Sequence, residues 1–398
     1  MQLSFPLAVL LPALFFASDA AAEAPPSFDL QWGTFGSAPG QFNWPRGITT
    51  DREGNVYVCD SGNDRVEKFT ADGALLVTWG SYGSGPGQFK QLVGIATEPG
   101  GTVFVCDYLG NRIEHFTADG AFLGQFGTSG TGAGQFKTPE GIAIDGDGYL
   151  YVADHDNDRI QKFTSSGSYV TQWAGSGTAN GRFSGPTGVI VDGAGNVYVS
   201  DTGNDRIQKF TTAGAFLLEW GVSGSGREQL LGPTGLAVDS RGDVYVCDSY
   251  NNRVQRFSGV GQWLGTWGSR GSNPGQFDGI EGIALGPLGR FYVTEHWSER
   301  VQRFQAPPSL PGTTPGSLIA LAGALAVIGS RFARACSPAR LIANSSRARA
   351  GRGRPSWLPP HPEESRRLKT SPARPRRRRP SKAASASFLP GAQHSCRR

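Results

Sequence analysis

The 398-residue chain is poor in the side chains that most often carry redox, metal or disulfide chemistry: it has five cysteines, five histidines and a single methionine, Met1. Five cysteines make no disulfide framework, and Cys59, Cys106 and Cys247 recur at one position of an internal repeat, which assigns each to a separate unit. They read as small buried strand residues rather than as a metal or redox site. Cys336 and Cys396 lie in a C-terminal tail and say nothing about the fold. Helical periodicity is also missing, so the aromatics must be buried by sheets packed on sheets. The two long apolar runs, LSFPLAVLLPALFFA (3–17) and SLIALAGALAVIG (317–329), fall short of a comfortable membrane span, and prolines interrupt the first.

Charge is unevenly placed along the chain, whose formal net is +5. Residues 306–398 hold 18 Lys and Arg against 2 Glu, whereas residues 25–305 hold 20 basic against 29 acidic residues. The globular part is therefore acidic, and nucleic-acid binding through it would work against its own field. Residues 1–24, an apolar run followed by Ser18, Asp19 and Ala20 to Ala22, have the pattern of an export signal. That places the protein outside the cytoplasm, as a secreted, periplasmic or cell-surface species. No Lys or Arg precedes the run, so a membrane-retained signal anchor is the other reading. Residues 306–316 form a Pro/Gly linker, and residues 317–334 a short apolar segment with Arg331 and Arg334 at its end, in the order of an anchoring or sorting signal. Residues 335–398, rich in Arg, Pro and Ser and including RPRRRRP (374–380), have the composition of a disordered tail. Membrane contact through 317–334 and this tail is one expectation; read-through beyond an anchor is the other.

Against this background one signal dominates. The chain repeats itself every 47 residues without insertion or deletion. Trp32, Trp79, Phe126, Trp173, Trp220 and Trp267 form one column; Asp60, Asp107, Asp154, Asp201, Asp248 and Glu295 a second; Arg65, Arg112, Arg159, Arg206, Arg253 and Arg300 a third; and Phe69, Phe116, Phe163, Phe210, Phe257 and Phe304 a fourth. Each copy splits into four short apolar runs bounded by turn residues, a to d, which in the first copy are Gly47–Asp51, Val56–Asp60, Arg65–Phe69 and Ala74–Gly80. The N-terminal run FDLQWG (Phe28–Gly33) is a d strand without a, b or c, and the last copy has a, b and c without d. The N-terminal strand should therefore complete the last unit beside Arg300–Phe304, removing two exposed edges.

The runs VYVCDSGNDRVEKF (Val56–Phe69), VYVSDTGNDRIQKF (Val197–Phe210) and VYVCDSYNNRVQRF (Val244–Phe257) resemble the NHL-repeat motif, as do the GQF and P-x-G-I elements before them. The resemblance spans all six copies and implies an all-β, six-bladed β-propeller over residues 28–305, with four antiparallel strands per blade around a channel. It also implies what to look for. Peptidylglycine α-amidating lyases, which share these motifs, place zinc-binding His before strand a, and none of the six equivalents here is His. Six-bladed lactonases and esterases hold calcium at the channel with Glu, Asp and Asn, and here only Glu140 and Glu281 could begin such a set. RNA-binding members use a basic face, which the acidic balance disfavours. Members with ubiquitin-ligase function carry Cys/His-rich zinc domains ahead of the propeller, and residues 1–27 hold neither Cys nor His.

Columns shared by all copies read as scaffold: the Asp and Arg columns as charge pairs or carboxylate-to-backbone bonds holding the b-to-c loop, the Trp column as core between blades. DGDG at Asp145–Gly148 aligns with other a-to-b turns and reads as a turn rather than a calcium loop. Function belongs where the copies differ, on the d-to-a and b-to-c loops of one face. The residue before the Gly of strand a is Arg46, Val93, Glu140, Thr187, Thr234 and Glu281; the residue after the Asp column is Ser61, Tyr108, His155, Thr202, Ser249 and His296. Blades three and six alone combine Glu in the first column with His in the second. The expected face thus includes Arg46, Tyr108, Glu140, His155, Tyr250, Glu281, His296 and Trp297. The reading is a non-enzymatic, monomeric module that binds a protein, peptide or glycan and needs no cofactor. The alternative is a calcium- or zinc-dependent hydrolase or lyase in the channel, with Glu140 and Glu281 on the ion and His155 or His296 moving protons.

Overall fold

The computed structural model describes residues 24–307. The export-signal, linker, apolar-segment and tail expectations on residues 1–23 and 308–398 lie outside the described residues, as do Cys336 and Cys396. Among the described residues, no helix is long and apolar enough to cross a membrane.

Six four-stranded antiparallel sheets form the blades of a propeller. In blade one, strands a to d are Pro45–Thr50, Val56–Asp60, Arg65–Phe69 and Leu75–Trp79, hydrogen-bonded in that order. Strand b is buried throughout and its residues pack between blades: Tyr57 and Cys59 share a core with Phe89, Leu92, Val105 and Phe116 of blade two. The Trp column serves that same seam. Trp79 lies 6.3 Å from Tyr57 of its own blade and 5.9 Å from Phe116 of the next, ring centre to ring centre. Cys59, Cys106 and Cys247 are buried free thiols, consistent with their place on strand b.

The ring is closed by the N-terminal strand, Ser27–Trp32, which pairs with Arg300–Gln305 of blade six, Ser27 opposite Gln305 and Leu30 opposite Arg303. Strand a begins two residues earlier than the apolar pattern placed it, because Pro45 already pairs with Asp60 before the register shifts.

The shared charges build the loops. Asp60, fully buried, accepts from Arg65 Nε at 2.7 Å and from the backbone N–H of Asn43 at 2.7 Å, while the Arg65 guanidinium donates to the carbonyls of Ser37, Ala38 and Gln41. Ion pair and backbone bonds thus act together to tie the d-to-a loop to the b-to-c loop. A second set of bonds, invisible in the columns, joins neighbouring blades. Each b-to-c loop ends in a left-handed residue, and the side chains of Asp64, Asn111, Asp158, Asp205, Asn252 and Glu299 each accept from a backbone N–H of the following blade, at 2.7–2.9 Å. The sequence DGDG is a turn: Asp145 Oδ1 accepts from the N–H groups of Asp147 and Tyr149, and Oδ2 from the Tyr151 hydroxyl.

Glycine is required where the six strands a crowd the axis. A Cβ on Gly47 would fall on the carbonyl oxygen of Val93, one on Gly94 on that of Glu140, and so around the ring to Gly282 against Arg46. Both partners are backbone, so neither can step aside cheaply. Gly94→Ala is expected to cost about 1–3 kcal/mol or more, read as a lowered urea midpoint; an unchanged midpoint would mean that the strands a can separate without loss.

Candidate functional site

In every blade, strand a carries one extra residue against strand b: the register jumps between Pro45 and Ile48, Leu92 and Ile95, Pro139 and Ile142, Pro186 and Val189, Pro233 and Leu236, and Ile280 and Ile283. A bulge re-aims the side chain it contains. Here the re-aimed residues are Arg46, Val93, Glu140, Thr187, Thr234 and Glu281, which line the channel mouth over a ring of glycines and a ring of Ile, Val and Leu, around a cavity of about 100 Å³.

Two acids and one base dominate this mouth. Arg46 Nη1 lies 3.5 Å from Glu140 Oε1, and the Arg46 charge also favours the ionised form of Glu281. Each glutamate has its own imidazole: His155 Nε2 stands 3.8 Å from Glu140, and His296 Nδ1 stands 3.5 Å from Glu281. Burial pushes the Glu281 carboxyl up from 4.5 to about 7, with Arg46 opposing and Glu140 adding to the rise. Burial likewise raises Glu140 against the pull of His155 and Arg46. The same loss of water, with the Arg46 charge, drives His296 down to about 4, so at neutral pH it is an uncharged imidazole beside a carboxyl whose acid form is favoured over that of an exposed glutamate. Tyr108 is raised by burial and by Glu140 and Asp156.

The Glu281 shift has a thermodynamic sign. A carboxyl whose folded-state pKa is raised adds stability only while protonated, fully present below about 4.5 and lost as pH rises through 7. Glu281→Gln is therefore expected to be the more stable protein at pH 8, by roughly 1–3 kcal/mol, and to match the parent near pH 4. Urea denaturation at both pH values checks this; a variant less stable than the parent at pH 8 would contradict it.

His155 and Glu140 are brought together, as are His296 and Glu281, but the two pairs stand apart. His155 opens onto a notch over blades three and four with Asp156, Ser184, Gly185 and Gly203, whereas His296 belongs to a cleft of about 450 Å³ with Thr202, Ser249, Tyr250, Glu281 and Trp297. Among the described residues no group of three or more His, Cys, Asp or Glu is placed to hold a metal ion.

Aromatic rings crowd one arc of the face. Trp44 of blade one and Trp297 of blade six meet edge to face, 6.1 Å apart at 78°, and Trp44, Tyr250 and Trp297 are 44%, 76% and 61% exposed. Their placement follows an exchange of bulk between two loop positions. Blade five pairs Gly232 with Tyr250 and blade six pairs Gly279 with Trp297, and in each a Cβ on the glycine would strike the ring. Blade one carries the bulk at the other position, Trp44 where blades five and six have glycine and Gly62 where they have Tyr and Trp, and a Cβ on Gly62 would meet Asn43. Trp44 holds φ of +56°, the left-handed conformation that Gln91, Thr138, Gly185, Gly232 and Gly279 share at the equivalent positions, and its backbone N–H is fixed by Glu299 Oε2 at 2.7 Å. Neither Trp44 nor Glu299 is among the residues singled out by sequence; the available signal was the one Trp in a column otherwise Gln, Thr and Gly.

The model of the NHL repeat matches residues 42–69, 136–163, 183–210 and 230–257. No curated protein matches the chain. Among solved structures, a gluconolactonase from Xanthomonas campestris is 16% identical with a TM-score of 0.53, covering 72% of this chain and 99% of its own. A putative gluconolactonase is 18% identical with a TM-score of 0.50, covering 70% and 93%, and a streptogramin B lyase is 16% identical at 0.50, covering 70% and 87%. At such identities the likeness is one of fold. Four matched repeats, the unbroken period that adds two more, and the closed ring of six sheets make this chain an NHL-repeat protein folded as a six-bladed β-propeller.

Proposed function

We propose that the propeller is a binding module acting outside the cytoplasm, its ligand seated over the channel mouth and the cleft between Thr202 and Trp297. The observation that carries this is Trp44. A bulky residue in the left-handed region costs on the order of 1 kcal/mol, and the ring so held still leaves 44% of its surface exposed, set against a second exposed indole. Fold stability gains little from such an arrangement, whereas exposed Trp and Tyr beside polar groups are the usual anchors of recognition. Screening the full chain on peptide and glycan arrays tests the proposal. Ligand signal is expected to fall about tenfold in Trp297→Ala and to persist in Asp147→Ala, on the a-to-b turn of the opposite face. The reverse pattern would overturn it.

A second reading has one observation in its favour: the Glu281 carboxyl, held near 7 beside the neutral His296, is matched to proton transfer at physiological pH. Gluconolactonases and a streptogramin B lyase share the fold, so catalysis at this mouth is the rival class. A calcium or zinc ion does not fit the donor set. Among the described residues two carboxylates line the mouth, and the Arg46 guanidinium stands 3.5 Å from one of them, where its charge would oppose a bound cation. Elemental analysis of the purified chain is expected to find no stoichiometric calcium or zinc. A stoichiometric ion that disappears in the Glu140→Gln, Glu281→Gln double variant would replace the binding reading with a metal-dependent hydrolase.

A further inference from the structure

We infer that the ligand is a neutral saccharide chain, one sugar ring packed in the corner between Trp44 and Trp297 and its hydroxyls bonded along the cleft toward the channel mouth. The inference rests on the binding reading above and names its ligand class. It starts from the charge at the mouth. Arg46 stands between Glu140 and Glu281, both carboxyls are raised by burial, and His296 is held neutral, so an anion would meet the glutamates and a cation the arginine. Neither sign of ligand is favoured, and neither is a strongly charged peptide.

What the cleft does offer is hydroxyl-rich. Thr187 and Thr202 hydroxyls lie 2.6 Å apart, as do those of Thr234 and Ser249. Each hydroxyl has one donor and two acceptor positions. Thr202 also donates to the Pro233 carbonyl at 2.7 Å and Thr234 to the Glu281 carbonyl at 2.8 Å, so the protons of each pair are committed and what the pair keeps is acceptor capacity, which the O–H groups of a sugar can fill. The guanidinium of Arg46 and the carboxyl of Glu281 extend this row with a fixed donor and an acceptor. The aromatic arc supplies the other half of sugar recognition. One face of a pyranose presents electropositive C–H groups that pack on the negative face of an indole. Two indoles meeting at 78° form a corner that a ring can enter with one face stacked and one edge covered.

The test is calorimetric titration of the full chain with four neutral probes, the hexasaccharides of β-1,4-glucose, β-1,3-glucose, β-1,4-xylose and β-1,4-N-acetylglucosamine, followed by an unbiased peptide array. At least one saccharide is expected to bind with quenching of Trp fluorescence, and its affinity to fall about tenfold in both Trp297→Ala and Trp44→Gly. Trp297→Phe is expected to retain affinity within about threefold, since a stacking face remains. Trp44→Gly keeps the fold testable, because three other blades carry glycine at that position. A chain that ignores all four saccharides at millimolar concentration but binds a peptide, with loss in the same Trp variants, overturns the saccharide inference and leaves the binding module standing. Saccharide binding indifferent to both Trp variants and abolished by Asp147→Ala overturns both.

Discussion

Asp201→Ala is expected to lower the unfolding free energy by about 3–5 kcal/mol, as breaking a buried ion pair from one side does. The Asp201 carboxylate has no exposure to solvent and is saturated with donors: the Ser184 N–H at 2.8 Å, Asn204 Nδ2 at 2.9 Å, Arg206 Nε at 2.6 Å and Gln208 Nε2 at 2.9 Å. Removing it takes the shared acceptor from the buried Arg206 guanidinium, from the Asn204 and Gln208 amides, which keep one carbonyl each, and from the Ser184 N–H. Arg206 would keep its carbonyl partners in the d-to-a loop and Glu219, but the link between that loop and strand b would be gone. The cost should therefore exceed that of a surface ion pair several-fold. Urea unfolding followed by Trp fluorescence measures it, and a loss below about 1 kcal/mol would show that water enters the loop and takes over the carboxylate's role.

That system was legible in the sequence because it repeats. Asp and Arg five residues apart, six times over, specify a loop whose charge pair is scaffold, and the orphan d strand at one end and the missing d at the other specify how the ring closes. The inter-blade bonds were harder to read. Asp64, Asn111 and Glu299 differ in type, and what they share is a side-chain acceptor on a left-handed residue, a property of backbone conformation rather than of letters. The channel mouth was partly legible, since variable positions before an invariant glycine mark it, but the electrostatics was not. Arg46 and Glu140 lie 94 residues apart and meet only because the bulges of blades one and three aim at one axis. Trp44 escaped for a related reason. Its meaning lies in the exchange of bulk with Gly62 on its own blade and in the contact with Trp297 on another, and a column-by-column reading sees neither.

Removing residues 24–32 is expected to abolish the folded protein rather than weaken it. The strand Ser27–Trp32 is short, yet three kinds of contact end on it. Trp32 packs 5.7 Å from Phe69 of blade one and 6.1 Å from Tyr292 of blade six, and Phe28 lies 6.1 Å from Phe304. A fully buried large aromatic is worth about 3–5 kcal/mol; Phe28 and Trp32 are half-buried, but losing both together with the paired strand removes a large part of a typical stability of roughly 5–15 kcal/mol. Arg303, buried, would lose Asp29 at 2.7 Å and keep Asp72 and the Ala71 carbonyl, and the N–H and C=O groups of Arg300–Gln305 would become an open edge. An edge of that kind pairs with other chains, so the truncated protein should appear in the insoluble fraction. The register allows a rescue. Ser27 sits opposite Gln305, so a short turn can join the end of strand c to the start of the closing strand, as residues 70–74 join the corresponding strands of blade one. A chain permuted to begin at Gly33 and to end with residues 27–32 after such a turn is expected to be soluble, with a Tm within a few degrees of the parent. Closure would then depend on which strand fills the edge and not on the order in which the chain supplies it. A truncated chain that remains soluble and melts cooperatively at the parental temperature would show that five complete blades and a three-stranded sixth suffice.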